Sequence, residues 1–177
     1  MMYMDNIRPP RFPRRWTALL LLLLWIPAAC FALKSDSHQP MRLEADNVEI
    51  DEASGVSLYQ GNVVITQGSL KIWADKMWIH RRNGKTEKIV TEGAPTHFRQ
   101  LMDDDGKEVK GQARRMEVYP GRNQIVLIQD AMLQQEKDRF YNDRIVYDRE
   151  RALVKAGTSA QGKQRVRVTI APKTGEK

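Results

Sequence analysis

The residue types that most often carry out chemistry in proteins are few in this sequence and widely spaced. Three His, at positions 38, 80 and 97, stand without a nearby pattern of further metal ligands, and the single Cys, Cys30, excludes a disulfide framework or a multi-Cys metal site. The run Asp103–Asp105 before Gly106 resembles part of a calcium loop, but the spaced ligands and the terminal Glu are missing, which favours a hairpin tip. The sequence therefore predicts no enzyme, metal or cofactor.

The first 32 residues have the composition of an export signal. Four Arg within residues 1–15 precede an apolar run, Trp16–Ile26, and the small residues of 28–32 fit a cleavage site after Ala32. Residues 1–32 are therefore predicted to be a secretory signal peptide, which places the protein in the periplasm. The run is shorter than the ~20 residues of a membrane span, so a retained anchor is the weaker alternative. Cys30 leaves a lipoprotein signal open, and Arg14-Arg15 leaves twin-arginine export open.

The remainder has the composition of one folded domain with a modest positive charge. Of 177 residues, 41% are hydrophobic and 29% are charged, which is typical of a soluble folded protein. Removing the four Arg and one Asp of residues 1–32 lowers the formal charge from +7 to +4. So small a charge, spread along an exported chain, argues against a nucleic-acid partner. We predict a domain over 41–170 between polar tails at 33–40 and 171–177.

Four similar segments recur along this domain and predict its architecture. They cover residues 43–50, 72–79, 111–118 and 140–147, and their central Ala or Asn residues lie at 45, 74, 113 and 142. Other short apolar runs alternate with them, at 56–65, 89–98, 125–133 and 153–158. Turn signals separate the runs, at 52–55, 67–69, 82–84, 103–106 and 120–123. This order predicts antiparallel strands with almost no helix.

Within the repeated segments, the apolar residues change phase at the small residue. Ile72 and Ala74 share one face by period two, but Met77 and Ile79 follow with the opposite parity. A slip of one residue turns every later side chain to the other face, and a β-bulge repairs it while bending the strand. We therefore predict strands bent at the same place in each repeat, so that two β layers face each other.

The repeated segments resemble the LptA family, also called OstA-like proteins, which transports lipopolysaccharide. The resemblance is carried by residues 41–46, 59–68, 71–76, 93–98, 109–113 and 130–135, and it runs from about 38 to 170. Arg114 departs from the pattern, because the other three segments have Asp at this position. The basic C-terminal strand is a second departure.

The resemblance implies a fold, a ligand and a set of partners. The fold implied is a single open, twisted β-jelly-roll of about sixteen antiparallel strands. The ligand implied is lipopolysaccharide, bound through the acyl chains of its lipid A in an apolar groove. The chain is then expected to stack head to tail with copies of itself, with an inner-membrane LptC-like partner at its N-terminal edge and an outer-membrane LptD-like partner at its C-terminal edge.

Period-two apolar residues on the inward face are the candidate lining of this groove. They are Met41, Leu43, Val63, Ile65, Ile72, Met77, Ile79, Phe98, Met116, Val118, Ile145 and Tyr147. The same residues would simply fill a sandwich core, and this alternative stays open. Met and β-branched residues suit a lining that adapts to flexible chains, and the few large rings leave room for them. We therefore expect an apolar groove that is empty until acyl chains enter it.

The ends and the rim of the groove have their own candidate residues. The partner edges are predicted at Leu43, Ala45, Arg165, Val166, Arg167, Val168 and Ile170, although the two Arg would also protect an edge from pairing. Five bases near predicted strand ends and hairpins would meet lipid phosphates or simply face solvent: Arg81, Arg82, Lys85, Arg114 and Arg144.

Two other functions compete with lipid transport. An envelope scaffold would join partners through the same edge strands around a filled interior. An exported hydrolase would depend on His80 or His97.

Overall fold

The chain forms one antiparallel β-sheet of long strands joined by short turns. The computed structural model describes Asp36, residues 39–102 and residues 107–172. Its ten strands are β1 (Arg42–Glu44), β2 (Asn47–Asp51), β3 (Val56–Gln67), β4 (Leu70–Arg82), β5 (Lys85–Leu101), β6 (Glu108–Tyr119), β7 (Gln124–Gln135), β8 (Asp138–Asp148), β9 (Leu153–Ala156) and β10 (Arg167–Thr169). The described helices are short 3₁₀ turns, at Pro120–Arg122 and Gly157–Ala160. The all-β prediction is confirmed.

The strands follow one another across the sheet nearly in chain order. The path runs β1-β3-β4-β5-β6-β7-β8-β10, with β2 also paired to β3 and β9 also paired to β8. The six long strands each pair with their sequence neighbours, which is the order of a meander and not the two Greek keys of a jelly roll. The sheet is open, because β1 and β2 form one edge and β9 and β10 form the other.

The described chain has ten strands where about sixteen were expected, because the strands bend without breaking. Register shifts interrupt every pairing among β3 to β8 near mid-strand, for example between Gln60 and Val63 of β3. Each long strand therefore contributes one segment to each of two arms. With the four short edge strands, these segments make eight per arm.

We define the arms by their segments. The first arm comprises β1, β10 and residues 63–67, 70–74, 96–101, 108–113, 131–135 and 138–142. The second arm comprises β2, β9 and residues 56–60, 76–82, 85–92, 115–119, 124–128 and 144–148. The line where the arms meet is called the bend.

The predicted phase slips are present, but the extra residue lies on the facing strand. In β4, Ala74 and Met77 are buried and the two residues between them are exposed. Opposite them, β3 has one residue more between Gln60 and Val63. Gly61 and Asn62 fill that position with φ of 80° and 45°, a left-handed conformation that these two residue types adopt most readily. Gln129 and Asp130 of β7 take the same conformation at the next bulge of this kind.

Several predictions concern residues that the structure describes only in part. The signal peptide over 1–32 and the turn at 103–106 lie outside the described residues, as do most of both tails. Asp36, which falls in the predicted polar tail, is only 7% exposed. Its carboxylate accepts hydrogen bonds from the Ser69 amide at 2.7 Å and hydroxyl at 2.6 Å and from Gln100 Nε2 at 2.9 Å. These bonds fix Asp36 to the first arm.

Candidate functional site

The inward faces of the two arms form one continuous apolar cluster. Ten of the twelve predicted groove residues are buried with 0–3% exposure: Val63, Ile65, Ile72, Met77, Ile79, Phe98, Met116, Val118, Ile145 and Tyr147. The other two, Met41 and Leu43, are half-buried and pack against the cluster at the β1 edge. An uncovered single sheet exposes its face to water, so burial this complete requires the arms to cover each other.

Direct contacts between the arms close the interior at its centre. Phe98 of the first arm stacks against Tyr147 of the second, with ring centroids 6.4 Å apart. Gly111 of the first arm has no room for a side chain, because a Cβ there would lie 3.0 Å from Leu127 of the second and closer still to Phe98. The structure therefore does not show the vacant groove that was expected. The lining residues of the two arms contact one another instead.

Part of this lining was not predicted from the sequence. Five further apolar side chains are at most 1% exposed within the same cluster: Ile89, Val109, Ile125, Leu127 and Leu133. Four of them lie in the apolar runs predicted as strands, at 89–98 and 125–133, and Val109 lies just before the repeated segment 111–118. None of the five was assigned to the inward face. The buried Thr91 and Thr96 carried no apolar signal at all.

A polar contact crosses the bend inside the apolar cluster. The hydroxyls of Thr91 and Thr96 lie 2.8 Å apart, and Thr96 also donates a hydrogen bond of 2.9 Å to the carbonyl oxygen of Trp73. Both Thr are fully buried, so their hydroxyls satisfy each other where no water reaches. Because Thr91 belongs to the second arm and Thr96 to the first, this contact ties the two halves of β5 together.

The bend is held on its outer side by the polar residues of the repeat. Asp46 accepts a hydrogen bond of 2.9 Å from Asn62 Nδ2. Arg114 stands where the other three segments have Asp, and it forms a 2.9 Å ion pair with Asp130. In this repeat the acidic residue therefore lies on the facing strand, at the bulge of β7. Asp143 accepts backbone hydrogen bonds from Lys163 and Gln164, and these bonds hold its pKa below the usual value of 3.8.

Exposed apolar side chains mark both edges of the inward face. At the N-terminal edge, Val48 and Ile50 of β2 are 57% and 54% exposed and lie opposite Tyr59 and Ser57 on the inward face. At the C-terminal edge, Val168 lies opposite Phe140 and is 46% exposed. Val166 and Ile170 share its parity and are also exposed. Large apolar side chains left in water are typical of interaction surfaces.

The predicted edge residues are all at or beside these edges. Leu43 of β1 pairs with Ile65 of β3, and Ala45 is half-buried between β1 and β2. Only residues 167–169 of the expected C-terminal strand form β10, while Arg165, Val166 and Ile170 flank it as exposed residues. Arg167 lies with its guanidinium carbon 5.9 Å from the centre of the Tyr141 ring.

The five candidate bases are not gathered at one rim. Arg81, Arg82 and Lys85 lie exposed at the β4–β5 hairpin of the second arm, where Arg82 forms a 3.4 Å ion pair with Glu87. Arg114 and Arg144 instead lie in mid-strand at the bend and not at strand ends. About sixteen shorter strands were expected, and these would have ended near Arg114 and Arg144. Instead, β6 and β8 continue through the bend, so both Arg lie within a strand.

The two described histidines, His80 and His97, lie outside the apolar interior. His97 is exposed and stacks on Trp73 with ring centroids 4.8 Å apart, on the outward side of the sheet. Partial burial and the positive charge of Lys88 lower the pKa of His80. Within the part of the chain that the structure describes, no three His, Cys, Asp or Glu are placed to hold a metal ion. None of the described helices is long and apolar enough to cross a membrane.

Comparisons with known proteins match this architecture. Residues 42–152 match a family model described as "LptA/(LptD N-terminal domain) LPS transport protein". The chain is 34% identical over 171 residues to the lipopolysaccharide export system protein LptH of Pseudomonas aeruginosa, covering 90% of this chain and 97% of that protein. It is 39% identical over 129 residues to the lipopolysaccharide export system protein LptA of Escherichia coli K12, covering 72% and 68%.

A solved structure supports the same relationship. It is the crystal structure of LptH from Pseudomonas aeruginosa, described as the LptA-homologous periplasmic component of a lipopolysaccharide transport device. The TM-score is 0.72 at 33% sequence identity, and the match covers 78% of this chain and all of that one. The resemblance drawn from the repeated segments is therefore confirmed.

Proposed function

Because the chain belongs to the LptA/LptD N-terminal domain family of lipopolysaccharide transport proteins, we propose that it carries lipopolysaccharide through the periplasm from the inner to the outer membrane. We propose no catalytic step, in line with a family described by transport. The acyl chains of lipid A would lie between the two arms, against the twelve groove residues named above. The observation that carries this proposal is the continuous apolar face that runs through both arms and ends in exposed apolar side chains at each edge.

Entry of lipid requires the arms to open. In the closed form, Phe98, Tyr147 and Leu127 occupy the space between them. Each CH₂ group of an acyl chain that replaces water with this lining contributes about 0.8 kcal/mol, and lipid A presents many such groups. The same contribution compensates for the side-chain packing that is broken when the arms separate. Because the lining makes few polar contacts, it would hold the cargo without fixing its position.

The edges would pass lipid from one molecule to the next. Pairing of the β1/β2 edge of one copy with the β9/β10 edge of another is a contact between unlike surfaces, so it continues into a filament. It would cover Val48 and Ile50 with the partner's C-terminal edge and join the two inward faces. We propose the LptC-like partner at the N-terminal edge and the LptD-like partner at the C-terminal edge of such a bridge.

A photo-crosslinking experiment tests lipid binding inside the arms. A photoreactive amino acid is placed at inward Ile72, Phe98 or Val118, and in matched controls at the outward positions Trp78 and Glu117 of the second arm. We expect lipopolysaccharide adducts at the inward positions and at most background at the outward ones. Leu43, which is only half-buried, repeats the test where a larger side chain has room. Adducts that do not follow this alternation contradict the proposal.

The scaffold alternative is favoured by one observation, the closed interior. A protein that joins partners through its edges needs no space between its arms, and the ten buried lining residues are only 0–3% exposed. The crosslinking experiment separates the two functions, because a scaffold gives no lipopolysaccharide adduct at any inward position while still binding its partners.

A further inference from the structure

The outward face of the first arm carries a row of cations that crosses the whole sheet. The register places Arg42, Thr66, Lys71, Arg99, Lys110, Gln134, Arg139 and Thr169 side by side on consecutive strands. Five of these eight residues are cationic and none is acidic. At about 4.8 Å between strands, the row is about 34 Å long. We call it the basic row.

A second row of aromatic and apolar side chains runs beside the basic row. Val64, Trp73, His97, Gln112, Met132 and Tyr141 are neighbours on the same strands, and the row ends at Glu44 of β1 and Arg167 of β10. Lys71 Nζ lies 5.2 Å and the Arg99 guanidinium carbon 5.8 Å from the centre of the Trp73 ring. The indole therefore has two cations beside it and the His97 ring stacked against it. Trp and Tyr beside Lys and Arg is the combination found at membrane interfaces.

On its described outward face, the second arm has no comparable row of cations without acidic residues among them. There, Arg115 is 2.7 Å from Glu92 and 3.4 Å from Glu117. The pKa of Glu117 is lowered although burial raises it, because the Tyr119 hydroxyl and the nearby cations outweigh the burial. On the first arm, Glu108 contacts the basic row, 2.7 Å from Lys110 and 4.0 Å from Arg99, and leaves most of the row's charge uncompensated.

We propose that this face of the first arm is a docking surface for an anionic lipid bilayer. The basic row would lie against the phosphate groups of the lipids, and Trp73 and Tyr141 would enter the interfacial region beside them. Each Lys or Arg near an anionic membrane adds to such binding, and salt weakens it. This contact is separate from the apolar interior. A molecule docked in this way holds one outward face on the membrane and leaves both edges free.

Vesicle binding of the exported protein tests the docking surface. We expect binding to vesicles of phosphatidylcholine with 30% phosphatidylglycerol, little binding to phosphatidylcholine alone, and release by 0.5 M salt. The triple variant Arg99→Gln, Lys110→Gln, Arg139→Gln alters only exposed residues and should bind at least about ten-fold more weakly. The matched control, Lys76→Gln, Arg151→Gln, Lys155→Gln, removes the same charge from exposed positions of the second arm and of the adjoining β8–β9 turn, and its binding should stay within about two-fold.

Three results would overturn the docking surface. They are absence of vesicle binding, equal binding to neutral vesicles, and equal losses in the two triple variants. Binding of a delipidated phosphorylated oligosaccharide in place of vesicles would also contradict it, because the face would then recognise sugar phosphates. Lipopolysaccharide crosslinking at Ile72 is measured in the same variants. If the triple variant of the basic row loses vesicle binding but keeps lipopolysaccharide crosslinking at Ile72, the two surfaces are separate. If the unaltered protein gives no crosslink at Ile72, that result counts against the proposed function alone.

Discussion

At the scale of single residues, the closeness of the two arms depends on side chains that are absent or small. Gly111 lies where any Cβ would collide with Phe98 and touch Leu127, so its lack of a side chain lets the arms meet. The sequence placed Gly111 in a repeated strand, but it did not show why glycine occurs there. Period-two patterns locate residues on a face of a sheet, whereas the distance to the opposite layer depends on the bend.

A substitution at Gly111 tests how tightly the arms pack. Gly111→Ala places a methyl group against the Phe98 ring, and we expect a loss of about 1–3 kcal/mol in the free energy of unfolding, measured by urea denaturation. Gly121→Ala is the matched control, since a Cβ there meets no atom within 4 Å, and its change should stay within about 0.5 kcal/mol. Equal stability of the two variants would show that the arms are not in tight contact at this point.

At the scale of elements, the bend was predictable from the sequence but its construction was not. The phase slip after Ala74 correctly predicts the point in β4 at which the buried residues change from even to odd positions. The extra residue lies on β3 instead, because Gly61 and Asn62 accept positive φ and the Ala74-Asp75 pair does not need to. A single strand's pattern shows a slip, and only the pairing of two strands shows which one is longer.

The strand count illustrates the same limit. Turn signals predict the hairpins at 67–69, 82–84 and 120–123, and the structure has a turn at each. Bends within strands have no turn residues of that kind, so sequence reasoning alone cannot decide whether a bent strand is one element or two. The partner edges were predicted near both ends of the chain. The structure has its sheet edges there, because the first and last strands of a meander lack a neighbour on one side.

A disulfide across the bend tests whether the arms must open. In Thr91→Cys/Thr96→Cys, two sulfur atoms replace hydroxyls that lie 2.8 Å apart, and residues 33–177 contain no other Cys. We expect the oxidised variant to keep its fold but lose most lipopolysaccharide binding, because the halves of β5 are fixed at their closed angle. The reduced form of the same variant is the control and should bind. Full binding by the oxidised form, with the disulfide confirmed by mass spectrometry, would mean that lipid enters without this movement.

At the scale of the whole molecule, three surfaces of one bent sheet have different chemistry. The inward face is apolar, the outward face of the first arm is basic and aromatic, and the edges combine unpaired backbone with exposed Val48, Ile50, Val168 and Ile170. A meander makes this possible, because it leaves two unlike edges at opposite ends of the same apolar face. The interior of one copy can then continue into the next, provided that N-terminal edges bind only C-terminal edges.

Edge-blocked variants test this pairing rule directly. Val48→Asp/Ile50→Asp puts charge on the N-terminal edge, and Val168→Asp/Ile170→Asp puts it on the C-terminal edge, at positions exposed enough for the monomer to fold. We expect the unaltered protein to form longer species in light scattering as its concentration rises. At the same concentrations we expect each variant alone to remain monomeric, because burying a carboxylate at the contact is unfavourable. Mixed in equal amounts, the two variants should form a dimer and nothing larger, since one retains only its C-terminal edge and the other only its N-terminal edge. Dimers of either variant alone would mean that like edges pair, and such a symmetric contact closes after two copies and cannot extend into a bridge.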